Sequence, residues 1–165
     1  MAAPILIGIR NPLSPRPEHA LAPFPTGSTG HRLYLMIRQA LPGLTRAQYM
    51  SAFVRLNMVP HDSDEKAAAC KAGAQATLER LDRGGLLNGA RIVCLGAKVS
   101  RYFAGPGAEE LKMTEVKIHG GQTGAGTFKV ATAPHPSGRC RFYNDPRNRA
   151  RVGLFLAELL EELPG

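Results

Sequence analysis

Short apolar runs alternate along this chain with longer segments in which apolar residues recur every three or four positions. Short apolar runs bounded by turn residues predict buried strands, because such strands are covered on both faces. We expect four core strands and one further candidate, residues 111–118, which is an additional or an edge strand. The predicted core strands are residues 4–9, 53–58, 91–95 and 127–132.

Helical periodicity, capping residues and glycine stops place the helices between these strands. The acids near residue 64 are expected in the first helical turn, where they favour the helix dipole. The predicted helices run from Ser28 or Thr29 to about Leu41, briefly from Thr45, from Ser63-Asp64-Glu65 to Gly84-Gly85, to about Phe103 after the third strand, and from about Arg147 to Leu163.

The alternation of strands and helices predicts an α/β protein. We expect a three-layer α/β/α sandwich around a central, mainly parallel four-stranded sheet, and one domain over residues 1–165. Three connections complete this picture: a Pro-, Ser- and Gly-rich loop over 10–28, a Gly-rich segment over 119–126, and a loop over 135–145.

Polar residues and turns gather where predicted strands end. Asn11-Pro12 follows the first strand, Asn57 lies near the end of the second, and His135-Pro136-Ser137 follows the last. Ligands of open α/β sheets bind beyond the carboxyl ends of the strands. Each segment also has a plainer explanation as a turn, a cap or a surface loop. Their order along the chain favours a shared site.

The charge of the chain points to a polyanionic partner. The 21 Lys and Arg residues outnumber the 13 Asp and Glu residues, for a formal net charge of +8. Lys and Arg displace counterions from phosphates, so nucleic acid is a candidate partner. A basic protein without such a partner remains open on charge alone.

Part of this charge surrounds the His-Pro-Ser segment, with Asp145 as the acid among five arginines. A basic helix start is unfavourable for the helix dipole, so a bound anion would explain the placement. The five arginines are Arg139, Arg141, Arg147, Arg149 and Arg151.

The cysteines, the first residues and the histidines indicate the cellular compartment and whether a metal is expected. Cys70, Cys94 and Cys140 form no CxxC pair and no disulfide framework, and Cys94 lies in an apolar run that predicts burial. The first residues do not have the pattern of a signal peptide, and no apolar run is long enough to cross a membrane. We expect an intracellular, cytoplasmic or nucleoid-associated protein. The histidines show no metal spacing, so we expect no metal and no cofactor.

Read together, these segments resemble the motifs of the uracil-DNA glycosylase superfamily. Residues 8–12 are similar to the Gly-x-Asn-Pro-Gly motif of its mismatch-specific and single-strand-selective branches, and residues 23–30 to its Pro-Phe-x-Gly-x-x-Gly element. Residues 56–60 resemble the strand whose Asn pairs with the base. Residues 135–138, His-Pro-Ser-Gly, resemble the loop that enters DNA. The resemblance extends from Ile5 to the last helix, and His-Pro-Ser is its most specific motif.

The resemblance implies a DNA glycosylase that acts in base-excision repair on a pyrimidine flipped out of the duplex. Phe24 would stack on the ring and the Asn57 amide would pair with its edge. Asn11 would position the attacking water, and His135 would donate a hydrogen bond to the departing base. The residues implied to bind DNA are Ser137, Gly138, Arg139, Arg141 and Arg147. We expect a monomer that binds DNA and no membrane.

The first motif departs from the family pattern, and the departures keep other functions open. Arg10 is inserted before Asn11, and Leu13 stands where the related branches have Gly. The motif has no acid to activate water, unlike the fastest branch, and the four cysteines of the iron–sulfur branches are missing. One alternative is a catalytically weak module that binds DNA or a modified base in viral or host defence. A third possibility, action on free nucleosides or nucleotides, is disfavoured by the basic loop.

Overall fold

A single sheet organises the chain in a computed structural model that describes residues 2–104, 108–118 and 126–162. Its strands are β1 (Ile5–Gly8), β2 (Val54–Asn57), β3 (Arg91–Leu95), β4 (Thr114–Ile118) and β5 (Gly126–Ala133). Their order across the sheet is β2-β1-β3-β5-β4. β1 pairs in parallel with both β2 and β3, and β3 pairs in parallel with β5. The mainly parallel sheet predicted from the alternating pattern is therefore confirmed.

Helices cover both faces of the sheet. They are α1 (Thr29–Ala40), α2 (Arg46–Ala52), α3 (Ala67–Arg83), α4 (Ala97–Ala104) and α5 (Pro146–Glu161). Buried residues of α1, α2 and α5 form one core with one face of the sheet, and those of α3 and α4 form a second core with the other. This is the predicted three-layer α/β/α sandwich.

The two cores follow from the alternation of side chains along each central strand. In β1, Leu6 points into the core with α1, whereas Ile5 and Ile7 point into the core with α3. In β3, Val93 joins the first core and Cys94 the second. Both strands are fully buried, as the continuous apolar runs predict. Burial raises the pKa of the Cys94 thiol to about 12, which fits the predicted core position.

The sheet has five strands, so the expectation of four was wrong. β4 pairs antiparallel with β5 and forms the edge of the sheet. Its residues alternate between half-buried and exposed, and Glu115 lies opposite Lys129 of β5. One face of β4 therefore covers the core while the other carries charge, a pattern that suits an edge strand. The segment 111–118 does supply the edge strand that its sequence allowed.

The long helix α3 begins at Ala67, later than the predicted start at residues 63–65. The Asp64 carboxylate accepts a hydrogen bond from the backbone N–H of Lys66, which fixes a turn instead of a first helical turn. Glu65 is engaged by basic side chains from other segments. The acids therefore precede the helix. Its end at Gly84 is as predicted.

The other helix ends agree closely with their capping signals. The Ser28 side chain accepts a hydrogen bond from the N–H of His31, so Ser28 rather than Thr29 is the cap of α1. Thr45 and Gln48 form a capping box at α2. Residues 119–125 and 163–165, which include most of the Gly-rich connection and the predicted end of the last helix, lie outside the described residues. None of the described helices has the length and apolar character needed to cross a membrane.

Close packing of α1 against α5 depends on Gly153. A Cβ placed on Gly153 would lie 2.0 Å from the carbonyl oxygen of Met36 in α1, far inside contact distance. The two backbones approach closely because neither side chain nor Cβ separates them there.

We predict that Gly153→Ala lowers the free energy of unfolding by about 1–3 kcal/mol, measured by urea denaturation, because the backbone must shift to relieve the overlap. The loss should appear although alanine favours helices over glycine by about 1 kcal/mol. Gly43→Ala is the control, since nothing lies within 4 Å of a Cβ there. A Gly153→Ala protein as stable as the wild type would contradict this account of the α1–α5 contact.

Candidate functional site

A cavity of about 490 Å³ opens at the carboxyl ends of β1 and β2. Its walls come from the segment after β1, from the start of α1, from Asn57 at the end of β2 and from the loop after β5. Five of the residues predicted to form the site line it. They are Asn11, Phe24, Asn57, Ser137 and Gly138. Segments separated by more than a hundred residues in sequence therefore meet where parallel sheets bind ligands.

Asn57 offers an unused amide at this cavity. It is the last residue of β2 and pairs in register with Gly8 of β1. A Cβ on Gly8 would lie 3.8 Å from Asn57 Oδ1, so the side chain lies close above the β1 backbone. Within the described parts of the chain, the Asn57 side chain makes no hydrogen bond, and the residue is half-buried. A half-buried amide with a free donor and a free acceptor is suited to a polar ligand edge.

Phe24 forms an exposed apolar wall of the cavity. Its side chain is 46% exposed, which is unusual for phenylalanine. The ring of His19 meets it edge-on, with 5.9 Å between ring centroids and an interplanar angle of 80°. His19 is held in turn by a hydrogen bond of 2.8 Å between its Nδ1 and the Oγ of Ser14. Phe24 thus presents an apolar ring to the cavity from a supported position.

The loop that carries Phe24 is fixed by close backbone packing at Gly30. A Cβ on Gly30 would lie 2.1 Å from the carbonyl oxygen of Ala22 and 2.2 Å from that of Leu21. Leu21 has a φ of 50°, an uncommon conformation for a residue with a side chain. The buried hydroxyl of Tyr49 donates a hydrogen bond of 2.9 Å to the Leu21 carbonyl and holds it in place. The glycine of this motif is therefore a packing requirement.

Asn11 has a structural task besides lining the cavity. Its Oδ1 accepts a hydrogen bond of 3.0 Å from the N–H of Leu13, and its Nδ2 donates to the His19 carbonyl at 3.2 Å. These bonds fix the turn after β1 and tie it to the segment before Phe24. One lone pair of the oxygen and one N–H of the amide remain for a ligand or a water molecule.

Arg10, the residue inserted in the first motif, is drawn towards α3. Its Nε lies 3.2 Å from Glu65 Oε1, and its Nη1 donates a hydrogen bond of 3.0 Å to the His61 carbonyl. Glu65 also contacts Lys98 at 3.4 Å. Arg10 still borders the cavity, but its guanidinium is anchored at the rim by these partners.

His135 lies beside the cavity and is not one of the residues that line it. It follows β5 and packs over Gly96, where a Cβ would lie 3.4 Å from the His135 Cβ. Burial lowers the pKa of the imidazole below its ordinary value of 6.5, while the charge of Glu65 acts in the opposite direction. The imidazole makes no hydrogen bond to any of the described residues. A neutral ring at neutral pH carries one N–H donor.

The His-Pro-Ser-Gly loop is held from both sides. The Tyr143 hydroxyl donates a hydrogen bond of 2.5 Å to the Pro134 carbonyl, and the N–H of Ser137 donates to the His135 carbonyl at 2.8 Å. On the other side, a Cβ on Gly138 would lie 2.9 Å from Nη2 of Arg32 in α1. Arg32 itself donates a hydrogen bond to the Gly27 carbonyl at 3.2 Å. The Arg32 guanidinium therefore lies against the loop at Gly138.

The predicted arginine cluster divides into paired and unpaired members. Arg147 forms an ion pair of 2.9 Å with Asp145, which also caps α5 through the N–H of Arg147. This pair lowers the pKa of the Asp145 carboxyl and raises that of the Arg147 guanidinium. The structure thus corrects the argument that the basic start of α5 needs a bound anion, because Asp145 already supplies the negative charge. Arg139 and Arg141 are exposed and form no ion pair with the described residues.

Three contributors to this region were missed from the sequence. Arg32 lies in a segment for which the sequence predicts only a helix, and His19 belongs to none of the sequence motifs. Glu65 belongs to the segment in which the sequence predicts the start of a helix. Their roles arise from neighbours that are five to 106 residues away in sequence, so no local pattern marks them.

Within residues 2–104, 108–118 and 126–162, no three His, Cys, Asp or Glu side chains come together in a way that could hold a metal ion. No protein-family model matches the chain, and no curated protein matches it. The resemblance to the uracil-DNA glycosylase superfamily therefore rests on the four sequence motifs.

We predict that His135 titrates below 6.5 in an NMR titration of the folded protein, and that Glu65→Gln lowers its pKa further by removing the opposing charge. Because the folded state resists this proton, the stability that His135 contributes is complete above pH 6.5 and is lost as the pH falls through its folded pKa. His135→Gln should therefore flatten the loss of stability on acidification.

Glu79→Gln is the matched control for this titration, because Glu79 is an exposed carboxylate of α3 that contacts Gln75. A pKa of His135 at or above 6.5, or the same pKa in the Glu65→Gln and wild-type proteins, would refute this account, in which burial lowers the pKa and Glu65 raises it.

Proposed function

We propose that this chain is a DNA glycosylase, which hydrolyses the N-glycosidic bond of uracil or a modified pyrimidine flipped out of DNA. The observation that carries the proposal is the meeting of Phe24 and the unused Asn57 amide in one cavity, with Ser137 and Gly138 at its wall. A cavity of about 490 Å³ falls within the range of small-molecule sites, roughly 300–1,000 Å³.

The cavity supplies both interactions that a flipped pyrimidine needs. An exposed aromatic ring supports stacking on the flat face of the base. The Asn57 amide can donate to a carbonyl oxygen and accept from the ring N–H of uracil, a pattern that differs from that of cytosine. Enzymes that act on a single base pay the cost of unstacking it and bind its edge and faces in a pocket.

Two side chains support the chemical step. Asn11 keeps one N–H and one lone pair free, which suffices to orient a water molecule towards the sugar carbon. As water bonds to that carbon, the carbon–nitrogen bond breaks and its electron pair leaves with the base, which takes up the proton that the water loses. The lowered pKa of His135 keeps the imidazole neutral at neutral pH, so that it can donate a hydrogen bond to the base oxygen that gains charge.

The rim offers groups for the DNA backbone. Ser137 and Gly138 form a tight turn whose polar groups suit phosphate, and Arg32 lies directly against Gly138. Arg139 and Arg141 extend this basic surface along the loop. Arg147 contributes less than an unpaired arginine would, because Asp145 already neutralises it.

We predict that the protein releases uracil or a 5-substituted pyrimidine from oligonucleotides, scored as cleavage of the abasic product by hot alkali. Asn57→Ala should lower kcat/KM for the preferred base by about 5- to 150-fold, which corresponds to about 1–3 kcal/mol for a paired base edge. Asn144→Ala is the control, because Asn144 is exposed and does not line the cavity. No abasic product from single-stranded or duplex substrates, while a control enzyme cuts them, would refute the proposal.

A second candidate is a module that binds DNA or a modified base without cleaving it. The commitment of both Asn11 side-chain atoms to the turn favours it, as does the absence of a carboxylate among the described residues that line the cavity. If the protein binds without cleaving, the Asn11→Ala, His135→Ala double variant should bind a uracil-containing oligonucleotide with an affinity within about threefold of the wild type. Neither protein should release base. Turnover by the wild type that the double variant loses would exclude this candidate.

A further inference from the structure

A second groove of about 480 Å³ begins at the wall of the base cavity and continues away from it. The two share Ser14 and Asn57, so they are neighbouring parts of one depression. The groove follows β2, an edge strand of the sheet, between the loop that precedes Phe24 and α3. The motif over residues 56–60 lines part of the groove, but the arginines of the groove belong to none of the sequence motifs.

The charged residues that line the groove are all basic among the described residues. Arg16, Arg55, Arg80 and Arg83 line the groove together with His61, and no Asp or Glu lines it within the described residues. Of these, Arg16, Arg80 and Arg83 are exposed, and none of the four arginines forms an ion pair with a described carboxylate. Four arginines without an acidic partner in one groove create a positive potential that favours an external anion, and arginine pairs well with phosphate.

Arg55 gives the groove a rigid floor. Its Nη1 donates hydrogen bonds to the carbonyl oxygens of Glu18 at 3.2 Å and Ala20 at 2.6 Å, which fasten the loop to β2. Its Nε is buried without a partner in the described structure, and burial lowers the pKa of its guanidinium. Arg55 is thus a fixed charge that the loop cannot fully satisfy.

The direction of the groove follows from the sheet order. The His-Pro-Ser-Gly loop follows β5, on one side of β1, whereas β2 lies on the other side. The base cavity lies between the loop and the groove. From Gly73 to Arg83 the α3 wall extends about 15 Å, at about 1.5 Å per residue.

We propose that this groove binds the phosphate backbone of a single DNA strand that continues from the flipped base. The occupant is a single strand rather than a duplex, because a volume of about 480 Å³ between a loop and one helix offers room for one backbone. The inference rests on the proposed function in taking DNA as the ligand, and it extends it by assigning a substrate class. Arg80 and Arg83 contact phosphates beyond the base, on the side opposite Arg32 and the His-Pro-Ser-Gly loop.

The test measures binding of uracil-containing oligonucleotides by fluorescence anisotropy over a range of salt concentrations. The result does not depend on catalytic activity. For a single strand, each lost phosphate contact reduces the slope of log K against log salt by about 0.7, so Arg80→Ala, Arg83→Ala should reduce it by about 1.4. The control is Lys117→Ala, Lys129→Ala, which removes the same charge from exposed positions at the β4–β5 edge, at the far end of the sheet. It should leave the slope within about 0.3 of the wild type.

Two oligonucleotides with uracil at the 5′ or the 3′ end locate the contact. The Arg80, Arg83 double variant should weaken binding of only one of them, and Arg32→Ala should weaken binding of the other. An unchanged slope, or a loss equal to that of the lysine control, would overturn the proposal, and so would an equal loss on a fully paired duplex. Thermal melting confirms that both double variants are folded.

The outcomes also separate this inference from the proposed glycosylase. A smaller salt slope in the Arg80, Arg83 variant for one of the two oligonucleotides, with no base release by the wild type, supports DNA binding in the groove and refutes hydrolysis. Base release by the wild type with an unchanged slope in the Arg80, Arg83 variant supports the glycosylase and refutes the groove.

Discussion

The structure depends on a sheet whose two central strands are buried on both faces. β1 and β3 are fully buried because α1, α2 and α5 cover one face and α3 and α4 the other. Because helices cover both faces, neither face of the sheet can serve a ligand. The ends of the strands and the two sheet edges, at β2 and at β4, remain accessible. The cavity lies at the strand ends, and the basic groove lies along the β2 edge.

The residues at the cavity divide into those that build it and those left free within it. Gly30, Leu21 and Tyr49 fix the backbone of the loop that carries Phe24, while Ser14 and His19 support the ring itself. Asn57 in the cavity and the His135 imidazole beside it are polar side chains without partners among the described residues. Such groups are costly to bury without a partner and are concentrated at binding sites for that reason. Asn11 belongs to both sets, since it fixes a turn and keeps half of its bonding capacity.

The arginines divide in the same way, into those that have an acidic partner within the chain and those that have none among the described residues. Arg10 and Arg147 are neutralised within the chain by Glu65 and Asp145. Arg32 at the loop and the arginines of the β2 groove have no such partner among the described residues. The net charge of +8 therefore matters less than where its unpaired part lies, on either side of one cavity. That arrangement is the basis for proposing a strand that crosses the cavity from the loop to the groove.

The sequence by itself determined the layers, the parallel core of the sheet and most helix ends, because alternation, periodicity and caps such as Ser28 and Thr45 are local signals. It also identified Asn11, Phe24 and Asn57, which the fold brings to one cavity. It did not determine the start of α3, whether residues 111–118 join the sheet, or the partners of Arg10 and Arg147. Only the tertiary structure decided these, together with the groove at Arg80 and Arg83, because ion pairs and grooves depend on which distant segments meet.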